Sequence, residues 1–177
     1  MIHYENIVPW GRSYTEYVTM FGLTPYFLSK KVLGCGDGPA AFNSVGNTFG
    51  GHITSIDPIF NLQKKDIEKR INETFGEVIN QTRLNADKFN WDMFGSVEGL
   101  GKIRMKSMLQ FLADYEQGLE EGRYIAAELP NLPFEDNTFD LALCSHFLFL
   151  YSEHLDQSFH IEAISEMLRV ANEVRIF

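Results

Sequence analysis

The sequence predicts an α/β domain built on a parallel sheet, and three stretches carry that prediction. Val32-Leu33-Gly34-Cys35-Gly36-Asp37-Gly38 reads as a strand end turning sharply into a helix, its glycines letting bare backbone and its N–H groups approach a ligand. Gly51-His52-Ile53-Thr54-Ser55-Ile56-Asp57 reads as a second short strand whose terminal carboxylate falls 19 residues after Gly38. An acid at that distance can accept both hydroxyls of a ribose. The third stretch, Glu128 to Asp140 with Leu132-Pro133-Phe134 at its centre, leads into the apolar run Leu141-Ala142-Leu143-Cys144.

Taken in order, residues 1 to 9 carry little pattern and read as an irregular arm closed by Pro9. Ser13 can cap a helix over Tyr14–Phe21, with Glu16 three residues on and Tyr14, Tyr17, Val18 and Phe21 on one face. Gly22 stops it. Thr24-Pro25 starts a second short helix through Ser29, Lys30 to Leu33 form the first strand, and Ala40 to Val45 the helix after the glycine turn, its amino terminus directed at the ligand. Gly46, Asn47, Gly50 and Gly51 are expected to end that helix early. A third strand is expected over Arg123–Ala127 and a fourth over Phe139–Cys144, approached through the turn residues Asn137-Thr138. Asp156 can cap a helix over Gln157–Val170, and Glu173–Phe177 begins a fifth strand.

About 65 residues separate the second and third strands, where one crossover helix and its loops need roughly 25. Asp66–Gln81 and Leu100–Leu119 both carry apolar residues at helical spacing, so two amphipathic helices are inserted. The aromatic connector Phe89-Asn90-Trp91-Asp92-Met93-Phe94 between them is either a lid over the site or a plug that buries the loop.

Composition narrows the class further. With 45% hydrophobic residues and fifteen phenylalanines in 177 residues, the chain suits one packed domain, burying about 70% of the surface its unfolded form exposes. No apolar run approaches the roughly 18 residues of a membrane span, and Met1 to Asn6 lacks the basic and apolar regions of a signal peptide, so a soluble cytoplasmic protein is expected. Two cysteines without CxxC spacing give neither a disulfide framework nor a zinc site, so no metal is expected. A net charge of −9 opposes a phosphate backbone, and Lys64-Lys65 and Lys102–Lys106 read as solvated helix faces, which disfavours nucleic acid as a partner.

In their order and residues, the three opening stretches resemble the class I S-adenosylmethionine-dependent methyltransferases, over residues 30–60 and 124–177. The resemblance implies a single Rossmann-like, three-layer domain over 1–177, with strand order 3-2-1-4-5 and a helical insertion at about 61–122 between strands 2 and 3. A complete member adds a helix and an antiparallel hairpin for seven strands. This chain reaches five, so strand 5 is expected to be covered by the inserted helices, to pair with a second copy in a homodimer, or to continue in a longer polypeptide.

By the same resemblance, Gly34, Cys35, Gly36 and Gly38 line S-adenosylmethionine, Asp57 takes the ribose with Pro58 beside it, Glu128 faces the adenine amino group and Leu129 offers its backbone N–H. Ser145 follows the fourth strand where cofactor and substrate meet, and His146 is the candidate general base, or else a hydrogen-bonded loop histidine without a chemical role. Trp10, Arg12 and Tyr14 either reach the methionine end of the cofactor or simply pack a helix on the sheet. One departure stands out: Val32 occupies the position where the family usually has an acid that helps hold the cofactor's amino group. The implied reaction is in-line methyl transfer, and the absence of an Asn-Pro-Pro-Tyr or Asp-Pro-Pro-Tyr tetrad after strand 4 points to a small-molecule acceptor. Two rivals remain: a nicotinamide-dependent oxidoreductase, which the glycine turn and distant acid also suit, and a non-catalytic S-adenosylmethionine-binding module.

Overall fold

A computed structural model describes residues 9–152 and 154–177; the amino-terminal arm lies outside them except for Pro9. The sheet has five parallel strands in the order β3-β2-β1-β4-β5, namely β1 (Lys31–Cys35), β2 (His52–Ile56), β3 (Tyr124–Ile125), β4 (Phe139–Cys144) and β5 (Ala171–Ile176). Period-two alternation divides its side chains between two cores. Val32, Ile53, Leu141 and Leu143 face helices α1 (Tyr14–Met20) and α3 (Phe42–Thr48), while Leu33, Cys35, Ile56, Ala142 and Cys144 face α6 (Gln157–Val170). These strands are buried on both faces, which is why they read as short apolar runs without a polar side.

Local sequence accounts for the helix boundaries. Ser13 and Glu16 form a reciprocal capping box at α1, and Gly22 follows at φ +57°. A short helix α2 spans Pro25–Leu28, with Pro25 at its first position. α3 starts later than expected: the chain turns at Gly38-Pro39, and the Ala41 N–H donates to the carbonyl of Arg12 before the helix begins at Phe42. Nor does Gly46 end it: the glycine sits inside α3, where a Cβ would collide with Ile53 Cδ1, so it permits close packing of helix on strand. Asp156 caps α6 through the Phe159 N–H at 2.8 Å.

The insertion holds two long helices, α4 (Lys64–Leu84) and α5 (Val97–Glu120). α5 packs on α3 and β3, and an aromatic cluster of Phe60, Phe111, Tyr115 and Tyr124 seals the junction, with ring centroids 5.0–6.1 Å apart. The insertion therefore sits at the β3 edge, and the expectation that it covers strand 5 is corrected: β5 lies at the opposite edge, packed by α6. Cys35 and Cys144 are register partners on adjacent strands, both buried and both free. Among the described residues, no helix is long and apolar enough to cross a membrane.

Candidate functional site

A cavity of about 950 Å³ opens at the carboxyl ends of β1, β2 and β4, where open α/β sheets collect their ligands. Of the thirteen residues that the sequence nominates, ten line it: Trp10, Arg12, Gly36, Gly38, Asp57, Pro58, Glu128, Leu129, Ser145 and His146. Gly34 and Cys35 do not. Both are buried in β1, and Gly34 is glycine for another reason, since a Cβ there would collide with the Asp37 carboxylate folded back over it.

Gly36 and Gly38 take φ +67° and +53° in the turn after β1, a conformation that disfavours other residues. The turn is braced by Asp57, whose Oδ2 accepts the Gly38 N–H at 2.9 Å while Oδ1 accepts the Ile59 N–H at 2.9 Å. Two further lone-pair directions remain on that carboxylate, enough for two vicinal hydroxyls. Burial raises the Asp57 pKa against the lowering by those two N–H groups, and Glu128 adds to the rise.

Glu128 and Leu129 lie on the crossover from β3 to β4, which contains no helix. α6 holds this loop from below: Arg169 donates to the carbonyl of Phe134 at 2.8 Å and to Asp136 at 2.7 Å, and Glu166 accepts the Leu132 N–H at 2.9 Å. The fourth strand then delivers Ser145 and His146. His146 sits at φ +55°, with Nδ1 3.0 Å from Ser145 Oγ. Burial, then the charges of Arg12 and Arg104, push its pKa down to about 4, so the imidazole is neutral near pH 7.

Arg12 enters from the segment before α1, its pKa lowered to about 10 by burial and by Arg104. Arg104 reaches across from α5 to Glu16 at 2.6 Å, a buried ion pair between the insertion and the leading helix. Trp10 also lines the cavity and packs on Phe75 of α4 at 5.6 Å. Tyr14 turns away, placed between Phe42 and Phe49, and does not line the cavity.

Sequence reasoning passed over two parts of the wall. One is Asp37, inside the glycine turn, buried and hydrogen-bonded by Tyr17 and Ser55. The other is a polar stripe of α4, Arg70, Glu73, Thr74, Glu77 and Gln81. Its signal was the helical period itself, since these residues fall on one stripe beside the buried face of Ile67, Ile71 and Val78. The connector 89–94 does not line the cavity; Trp91 instead bonds the Ala86 carbonyl at 2.8 Å, and α4 is the wall.

A family model described as a methyltransferase domain matches residues 104–173. With this sheet order, the chain belongs to the class I S-adenosylmethionine-dependent methyltransferase family. It is 36% identical over 177 residues to the uncharacterized protein MJ0045 of Methanocaldococcus jannaschii, covering 99% of this chain and 79% of that protein. No solved structure matches it.

The residues present fit the cofactor that the family implies. The cavity has the volume of a small-molecule site, the Asp57 carboxylate has hydroxyl-accepting directions to spare, and Gly36 and Gly38, which carry no side chain, line the cavity.

Proposed function

We propose that the chain binds S-adenosylmethionine in this cavity and transfers its methyl group to a small-molecule acceptor by in-line displacement. One observation carries the reading: ten residues nominated from three separate stretches of sequence, and from the leading segment, converge on one cavity at the carboxyl edge of the sheet. When bound, the cofactor supplies a methyl group already activated on a sulfonium. The protein's work is then to hold the reactants in line, which can contribute several kcal/mol through proximity alone.

Asp57 takes the ribose hydroxyls, Glu128 and Leu129 face the adenine, the Gly36–Gly38 backbone runs along the ligand, and Arg12 faces its methionine end. His146, held near Ser145 Oγ and neutral but only weakly basic at a pKa of about 4, is the group placed to accept a proton where the reaction releases one. The acceptor lies toward Leu150, Tyr151 and α4, whose stripe closes the cavity to a size suited to a small molecule rather than a polymer. The net charge of −9 supports the same choice.

Isothermal calorimetry with S-adenosylhomocysteine and with NAD⁺ tests the reading. S-adenosylhomocysteine binds and NAD⁺ does not; the reverse order of affinity would identify an oxidoreductase. Tight binding without formation of S-adenosylhomocysteine from S-adenosylmethionine over a broad acceptor panel would instead identify a non-catalytic binding module.

A further inference from the structure

Asp37 has no role in the reading above, yet it lines the cavity at 7% exposure. Its Oδ1 accepts the Tyr17 hydroxyl at 2.8 Å and its Oδ2 the Ser55 hydroxyl at 2.5 Å. Ser55 is itself fixed by Asn43 Nδ2 at 3.2 Å, and Gly34 leaves the space into which the carboxylate folds. The group is thus oriented from α1, β2 and α3 together.

Orientation is not neutralisation. Among the described residues, no Lys, Arg or His nitrogen forms an ion pair with Asp37, whereas Glu16, equally buried, is paired with Arg104 at 2.6 Å. Neutral hydroxyls satisfy one lone-pair direction on each oxygen and leave two, and a buried carboxylate without a counter-ion is costly to keep. A cation entering from the cavity completes the site.

We propose that Asp37 is the receptor for the cationic amino group of the bound ligand, so that the cavity selects an adenosyl amino acid over the nucleoside thioether alone. The proposal rests on the cofactor reading. It also accounts for Val32: Val32 and Gly34 share a strand face, and Asp37, folded over Gly34, brings a carboxylate to that face from the turn.

The arrangement makes selection pH-dependent. Burial lifts the Asp37 pKa to about 6, with Ser55 and Tyr17 pulling against it and Asp57 adding to it. Other titratable groups around it keep one state between pH 5 and 7.5: His146 stays neutral with a pKa of about 4, Arg12 stays charged, Glu16 is held low, and Tyr17, Cys35 and Cys144 are all raised and stay protonated. Asp57 is raised as well, but its ribose contact is common to both ligands compared below.

The experiment is calorimetry with S-adenosylhomocysteine and 5′-methylthioadenosine, which shares the adenosine and sulfur and lacks the amino acid. Asp37→Asn weakens S-adenosylhomocysteine by about tenfold or more, as expected for loss of a charge-assisted contact, and changes 5′-methylthioadenosine by no more than about twofold. In the wild-type protein the preference for S-adenosylhomocysteine falls about tenfold from pH 7.5 to pH 5, titrating near 6, an arm that needs no variant to fold. Binding of S-adenosylhomocysteine with a preference that neither the variant nor pH alters overturns the role of Asp37 alone, as does equal loss of both ligands in the variant. Failure of the wild-type protein to bind S-adenosylhomocysteine overturns the cofactor reading beneath it.

Discussion

Replacing Arg104 with methionine tests how the insertion is tied to the rest of the domain. The guanidinium meets Glu16 at 2.6 Å with side chains only 5% and 7% exposed, and removing one partner of a buried pair typically costs about 3–5 kcal/mol. Two features place this case at the low end. Glu16 keeps the Ser13 N–H at 2.9 Å and the Ser13 hydroxyl at 2.8 Å, and Arg104 Nε already lacks a partner among the described residues, so methionine removes that cost. The expectation is about 3 kcal/mol in urea denaturation, or roughly 6–12 °C in Tm for a domain of this size. The effect is pH-dependent, with a definite sign. Burial alone would raise the Glu16 pKa, but Arg104 and Ser13 outweigh it and hold it below its ordinary value. A depressed carboxylate contributes stability above its unfolded pKa and loses it as pH falls through the folded value, so the gap between variant and wild type narrows in acid. The double variant Glu16→Gln/Arg104→Met is less destabilised than the two single losses combined. A loss below about 1 kcal/mol, or an additive cycle, would show that the pair does not anchor α5 to α1.

Other outcomes follow from the same geometry. Asp57→Ala weakens S-adenosylhomocysteine by at least about tenfold in calorimetry, and it also lowers stability, because the Gly38 and Ile59 N–H groups lose their acceptor. Gly34→Ala must displace Asp37 from Tyr17 and Ser55 and lowers Tm, and combining it with Asp37→Ala restores part of the loss. For Asp37 itself the folded pKa is raised, so its stabilising proton is fully held at low pH and lost as pH rises through about 6. Relative to wild type, ligand-free Asp37→Asn therefore gains stability between pH 4 and pH 8, by up to about 3 kcal/mol in urea denaturation. Among the described residues, no strand pairs with the outer edge of β5 (Ala171–Ile176); if two copies join there, Ile176→Pro lowers the mass seen by light scattering, because proline cannot donate to the ladder.

Much of the fold was legible because it is written in local chemistry. Asp156 and the apolar spacing of Ile161, Ile164, Met167 and Leu168 mark α6, although the helix buries Ala163, Met167 and Val170 and leaves Ile161 and Leu168 exposed, and the run Leu141–Cys144 marks a strand buried on both faces. Boundaries were harder to read where neighbours decide them. Lys64, Lys65, Arg83 and Leu84 extend α4 beyond its apolar stripe, and the strand expected over 123–127 is ordered as β only at Tyr124–Ile125, where it pairs with β2. Gly46 looked like a helix stop and is a packing contact with Ile53. In the site, glycines and acids at fixed distances could be found, since the turn after β1 and the end of β2 are local features. Asp37 could not be separated from the turn that holds it, because its meaning depends on Tyr17 and Ser55, which lie 20 and 18 residues away in the chain. The α4 wall was hidden for a similar reason: periodicity says which face is buried and nothing of what the polar face meets.

A crystal structure with S-adenosylhomocysteine tests the central claim most directly. The account predicts the ligand along Gly36–Gly38, its ribose hydroxyls on Asp57 and its adenine against Glu128 and Leu129, with the sulfur directed toward His146 and the free volume beside α4. A ligand bound elsewhere on the surface, or a cavity that stays empty in crystals grown with saturating S-adenosylhomocysteine, would contradict it.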